Sequence, residues 1–244
     1  TVISQAVSCI WVLRFLSGPK SILPLRRREA RIYSYLLKDI LSLGVVGFIM
    51  KFTNSLVQIA CNKMLSIHGG DLYVGVMTVI NAIRDVFTLP ASGITDGARP
   101  VLSYNYGAGL CGRGRKALRM ALLTAFCCGL AVFGFTWLFG PRIAGLFLLP
   151  ESAAYPIAVE GLRWFAAGYP FFGINVVAIG YFQSIERGRL ATGLTVLRGI
   201  VLMALCFLTL PRLLGVIGIW LAMPAAELLT TGLLGLLPRR VTAP

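Results

Sequence analysis

The chain has 244 residues, of which 57% are hydrophobic and only 13% charged, with a mean hydropathy of +0.80. That balance excludes an ordinary soluble domain, whose charged share is about 25%, and makes a bilayer the main solvent. The net charge of +14 is spread over short loops rather than one face or stripe, so membrane lipid headgroups account for it and nucleic acid does not.

Residues 1–16 are apolar up to Arg14 and begin at Thr1 without a methionine or a basic n-region. A signal peptide fits this poorly, and the chain reads as part of something longer. A polar, basic segment follows over 17–39, with Lys20, Arg26, Arg27, Arg28, Arg31 and Lys38, and with Pro19 and Pro24 to break helices. It has the composition of a linker. Six further apolar stretches, each at least as long as the roughly 20 residues that cross a bilayer as helix, are placed at 43–66, 72–94, 117–139, 155–183, 190–210 and 214–236. An all-α integral membrane protein is therefore expected, with little sequence left for a separate catalytic domain.

Basic residues are retained on the cytoplasmic side of membranes. The side holding the linker also receives Arg99, Arg113, Arg115, Lys116, Arg119, Arg187, Arg189, Arg239 and Arg240, whereas the opposite loops hold Arg142, Arg212 and Lys63. The linker and the C-terminus are expected in the cytoplasm, in a multi-pass membrane protein. Of the six cysteines, only Cys111 falls in a polar stretch. They lack metal-site spacing and are expected as reduced, small apolar residues, with no metal bound.

Charged and amide side chains at membrane depth mark functional sites. Lys51, Asn54, Gln58 and Asn62 recur at spacings that share one helical face. Two readings stand: a cavity wall that hydrogen-bonds substrate, or polar contacts between packed helices. The next span holds Asn81, Arg84, Asp85 and Thr88. In antiparallel helices Asp85 reaches the depth of Lys51, and Arg198 that of Glu227, so two buried charge pairs are expected. Glu160 and Arg163, three apart, suit a third, local pair. A carboxylate without a permanent partner would instead serve a cationic substrate or a coupling proton.

Enzyme chemistry finds little support. His68, the single histidine, sits beside Gly69, Gly70 and Asp71 in what reads as a turn. Gly107, Gly109, Gly112 and Gly114 form a glycine-rich loop, but it follows no strand and lacks the Lys-Ser or Lys-Thr of a phosphate-binding loop.

The segment Gly97-Ala98-Arg99-Pro100-Val101-Leu102-Ser103-Tyr104-Asn105-Tyr106-Gly107 resembles the Gly-x-x-Pro…Tyr-Asn-x-Gly motif of multidrug and toxic compound extrusion (MATE) transporters. Phe182-Gln183-Ser184-Ile185, Leu197-Arg198 and Gly215-Val216-Ile217-Gly218-Ile219-Trp220, leading to Ala225-Ala226-Glu227, match in the right order. Family members have two six-helix lobes joined by a cytoplasmic linker and extrude substrate in exchange for Na⁺ or H⁺. The resemblance implies that 1–16 ends the last N-lobe helix, 17–39 is the linker, 40–237 is a C-lobe of six helices and 238–244 a cytoplasmic tail. It also implies small drug-like substrates and an N-terminal lobe of the same protein as partner.

Two departures stand out: Arg99 where the family often has Gln, and Val46 where a Pro commonly follows the first glycine. Some branches carry an acidic residue in the first C-lobe helix, but 43–66 contains no Asp or Glu. The coupling Na⁺ or H⁺ is thus expected in the N-lobe, as in the MepA-like branch. Other readings are a lipid-linked oligosaccharide flippase of the same superfamily, an integral membrane enzyme, or a non-transporting membrane subunit.

Overall fold

The computed structural model describes residues 2–18, 37, 52, 55–56, 58–67 and 69–236. The chain divides into two compact units, 1–47 and 48–244. In the first, α1 (Val2–Leu16) is apolar with no buried residue, and Arg14 in its last turn lies at the negative end of the helix dipole. The expected linker lies almost wholly outside the described residues.

In the second unit, 58–67 is helical, followed by α2 (Asp71–Gly107), α3 (Cys111–Gly145), α4 (Ala154–Ala166), α5 (Tyr169–Ser184) and α6 (Gly188–Val196). A π-helical segment, Leu197–Leu202, leads into α7 (Met203–Leu214), and α8 is Val216–Leu236. Among the described residues, four helical stretches are long and apolar enough to cross a membrane, or five when α4 and α5 count as one bent span. The span expected at 43–66 falls partly outside the described residues.

Three sequence expectations need correction. First, α2 continues to Gly107 instead of ending near 94. At about 1.5 Å per residue its 37 residues extend about 55 Å, well beyond a hydrocarbon core of about 30 Å, so its polar end with Asp96 and Arg99 projects past the lipid. Second, the glycine-rich loop is much shorter than expected. Gly107 closes α2, Gly109 turns the chain with φ of 69°, and Gly112 and Gly114 are already helical in α3.

Third, 155–183 is not one straight span. The chain breaks at Ala167–Gly168 and bends by 47°. Pro170 in the first turn of α5 has no N–H to continue the preceding helix.

The main core gathers Ile80, Leu162, Phe165, Tyr169, Cys206 and Trp220. Close backbone approach replaces large side chains where α3 meets α5: a Cβ on Gly129 would lie 2.6 Å from Pro170 Cα, and one on Gly173 would lie 2.8 Å from the Ala125 carbonyl. Such small-residue seams are how helices pack where lipid supplies no hydrophobic drive.

Candidate substrate cavity

A cavity of about 370 Å³ opens among the helix at 58–67, α2, α4, α5, the π-helical segment, α7 and α8. Phe165, Phe172, Met203 and Met223 supply an apolar wall, and Asn81, Arg84, Asp85, Arg198 and Glu227 supply polar groups. This mixture suits amphipathic molecules: the rings and thioethers adapt to varied shapes, while a few fixed charges orient them.

Glu227 is the buried centre of the polar part. Arg198 Nη2 lies 2.6 Å from Oε1, and Nε donates to both carboxylate oxygens at 2.9 Å. Asn175 Nδ2 donates to Oε2 at 2.6 Å, and its Oδ1 accepts from Thr231 Oγ1 at 3.1 Å. The Arg198 guanidinium also sits 4.9 Å from the centre of the Phe172 ring, a cation–π contact. Arg198 is the second residue of the π-helical segment. Such wide turns recur at functional sites, where they redirect a side chain.

Arg84 Nη2 lies 2.9 Å from Asp85 Oδ1 on the opposite wall-forming helix, α2. The partner expected for Asp85 was Lys51, which, with Asn54, His68 and Val46, lies outside the described residues. Gln58 lines the cavity, but Asn62 does not; Cys61, three residues after Gln58, takes the adjoining place. Asn81 is buried at the wall with its Oδ1 unpartnered among the described residues.

Glu160 and Arg163 form no ion pair, contrary to the expectation from their spacing. The Arg163 guanidinium instead lies 5.8 Å over the Trp137 ring. A neighbouring helix offers it an aromatic face, and an exposed pair at this spacing has only a weak hold against such competition.

The motif segment is helical and packs its polar side on the end of α5. Arg99 donates to Gln183 Oε1 at 2.6 Å and pairs with Asp96 at 3.2 Å, and Ser103 Oγ donates to the Ser184 carbonyl at 3.2 Å. Asn105 is buried and donates to the Val101 carbonyl at 2.7 Å. Its own carbonyl accepts from the Leu110 N–H at 2.9 Å, stabilising the turn out of α2. Tyr104 is exposed, Gly97 faces open space, and Pro100 lies within the helix. None of these motif residues lines the cavity.

Asn175 and Phe172 were not anticipated. An amide inside the apolar run Tyr169–Ser184 was a readable signal for Asn175, whereas nothing in the sequence marks Phe172 apart from other aromatics.

The MatE family model matches residues 48–208. Among curated proteins, the chain is 23% identical over 233 residues to multidrug export protein MepA of Staphylococcus aureus (strain bovine RF122 / ET3-1). It is 20% identical over 227 residues to MepA of Staphylococcus saprophyticus. Each alignment covers 93% of this chain and 49% of the relative, so the chain spans about half the length of the curated relatives it matches. Solved structures with a similar fold include the outward-facing conformation of a multidrug resistance MATE family transporter of the MOP superfamily (TM-score 0.85, 23% identity, 96% of this chain and 52% of that one). An inward-facing conformation under the same description aligns with TM-score 0.80 and 23% identity, covering 96% of this chain and 54% of the other. With more than half its length matched by the family model and its fold shared with these transporters, the chain belongs to the MatE family.

Proposed function

We propose that this chain forms the C-terminal lobe of a secondary active exporter that extrudes amphipathic, often cationic compounds by antiport with Na⁺ or H⁺. The observation that carries this reading is the cavity itself: an aromatic and methionine wall facing a small set of charges, with the Asn81 Oδ1 unpartnered among the described residues. Gln58, Asn81 and Asp85, which line the cavity, are the substrate-contacting candidates together with Asn54, and Arg198 with Glu227 is the structural pair. Relatives named as multidrug exporters, and neighbours described in outward-facing and inward-facing conformations, support an alternating-access cycle. In this reading 1–16 ends an N-lobe helix, 17–39 is the linker and 40–237 is the six-helix lobe. The coupling ion binds in the N-lobe, and the protein resides in the bacterial inner membrane with its C-terminus in the cytoplasm.

The test is efflux of a fluorescent organic cation from cells. Cells expressing this chain alone should not export it, and cells co-expressing a family N-lobe that associates with it should. Export by the chain alone, or none from a demonstrated two-lobe assembly, would overturn the reading. Orientation is tested separately with a membrane-impermeant thiol reagent on a variant retaining only Cys111, which is exposed at the start of α3. Labelling is expected only after lysis.

A further inference from the structure

A second concavity, of about 520 Å³, lies away from the substrate cavity, between the last third of α3 and α4. Trp137, Tyr155, Glu160, Arg163 and Trp164 line it. The site lies toward the end of α3 that carries Arg142, and its Trp137, Tyr155 and Trp164 are of the residue types that collect at membrane–water interfaces. The basic residues at the other end of α3, Arg113, Arg115, Lys116 and Arg119, place it in the outer leaflet by the retention of positive charge inside.

We propose that this concavity binds the headgroup of phosphatidylethanolamine, with Arg163 donating to the phosphate and Glu160 accepting from the primary ammonium. The two charges are opposite, three residues apart on one face of α4, and not spent on each other: Arg163 lies over Trp137, and Glu160 forms no ion pair among the described residues. A phosphate joined to an ammonium by a short ethylene unit presents the complementary pair. The Tyr155 hydroxyl is already donated to the Pro141 carbonyl at 2.9 Å, which leaves Glu160 as the acceptor for the ammonium. A choline headgroup fits less well, because its nitrogen has no N–H for Glu160 and Arg163 already covers a face of Trp137. A glycerol headgroup would leave the Glu160 charge unopposed. The acyl chains have an apolar track, since Leu130 lies seven residues before Trp137 on the same face of α3 and is 44% exposed. Above the site, the connection from α3 to α4 exposes Leu146 and Leu149 at 81% and 77%, as a loop dipping into the interface would.

Native mass spectrometry of the full chain with defined lipids tests this. Phosphatidylethanolamine should be retained about tenfold more strongly than phosphatidylcholine, the difference a charged hydrogen bond makes, and N-methylated intermediates should grade between them. Glu160→Gln should abolish the preference while leaving weaker binding of both lipids, and Arg163→Gln should weaken both alike. Equal retention of the two lipids by the unaltered chain, stronger retention of phosphatidylglycerol, or a preference surviving in a monodisperse Glu160→Gln protein would overturn the proposal. The methylation series needs no substitution, so the test stands even where Arg163→Gln, which also removes packing on Trp137, does not yield folded protein.

Discussion

Asn175 donates from Nδ2 to both Glu227 Oε2, at 2.6 Å, and the Glu227 backbone carbonyl, at 2.9 Å, and so ties α5 to α8 at a residue with no exposed surface. Replacing it with Leu removes the donor while leaving a carboxylate oxygen buried. The expected cost is about 1.5–3 kcal/mol, the range for hydrogen bonds to charged groups. Thermal unfolding of the detergent-purified protein should show a lowered midpoint. An unchanged midpoint would mean that the amide is replaceable by packing.

Arg198 and Glu227 should behave as a unit. Their side chains are 18% and 5% exposed, so removing either charge strands the other in a low-dielectric setting at a cost of about 3–5 kcal/mol. Arg198→Met and Glu227→Gln should each reduce folded yield sharply, and Arg198→Met combined with Glu227→Leu should recover much of it. A double variant no better than the worse single one would show that the pair does not act as one. Exchange of the two residues should rescue less well, since an arginine at 227 would turn donors toward the Asn175 amide and leave Phe172 without its cation.

Asp85 is expected to divide stability from transport. Its side chain is 70% exposed and its partner Arg84 is adjacent, and pairs of that kind contribute about 0–1 kcal/mol. Asp85→Asn should therefore leave expression near normal. In the assembled transporter, resistance to cationic compounds should fall several-fold while resistance to neutral ones persists. Combining it with Lys51→Met separates the roles further: recovery of cation export in the double variant would place Asp85 in a structural pair only.

Gly173 reports on the seam between α3 and α5. A Cβ there would lie 2.8 Å from the Ala125 carbonyl oxygen and 3.3 Å from the Ala125 Cβ. The nearest obstacle is backbone, so the helices must separate. Gly173→Val should destabilise by about 1–3 kcal/mol or more, the usual range for overpacking. Gly232→Ala, where a Cβ meets open space, should be neutral or slightly stabilising, as expected for a helix-interior glycine. Comparing the two unfolding midpoints checks the seam directly.

Membrane residence and helical class were legible in the residues, because in lipid each backbone polar group must be satisfied within the segment and long apolar runs are left only the helix. The family motif was legible too, although its place was not: beyond the span expected at 72–94, Gly97–Gly107 continues α2 to its end. Hydropathy locates the part of a helix that lies in lipid and is blind to a helix continuing into water. The bend at Ala167–Gly168 escaped for a related reason, since both α4 and α5 are apolar and a mean over residues does not register a break between them.

Side-chain partnership was decided by tertiary structure. The spacing of Glu160 and Arg163 allows a pair, yet Trp137 from α3 takes the guanidinium. Asn175 meets Glu227 across 52 positions of chain, a separation that no local period encodes. Periodicity determines which face of a helix a residue occupies. What lies against that face depends on how the helices cross, and glycine seams such as Gly129 against Pro170 decide this through backbone shape.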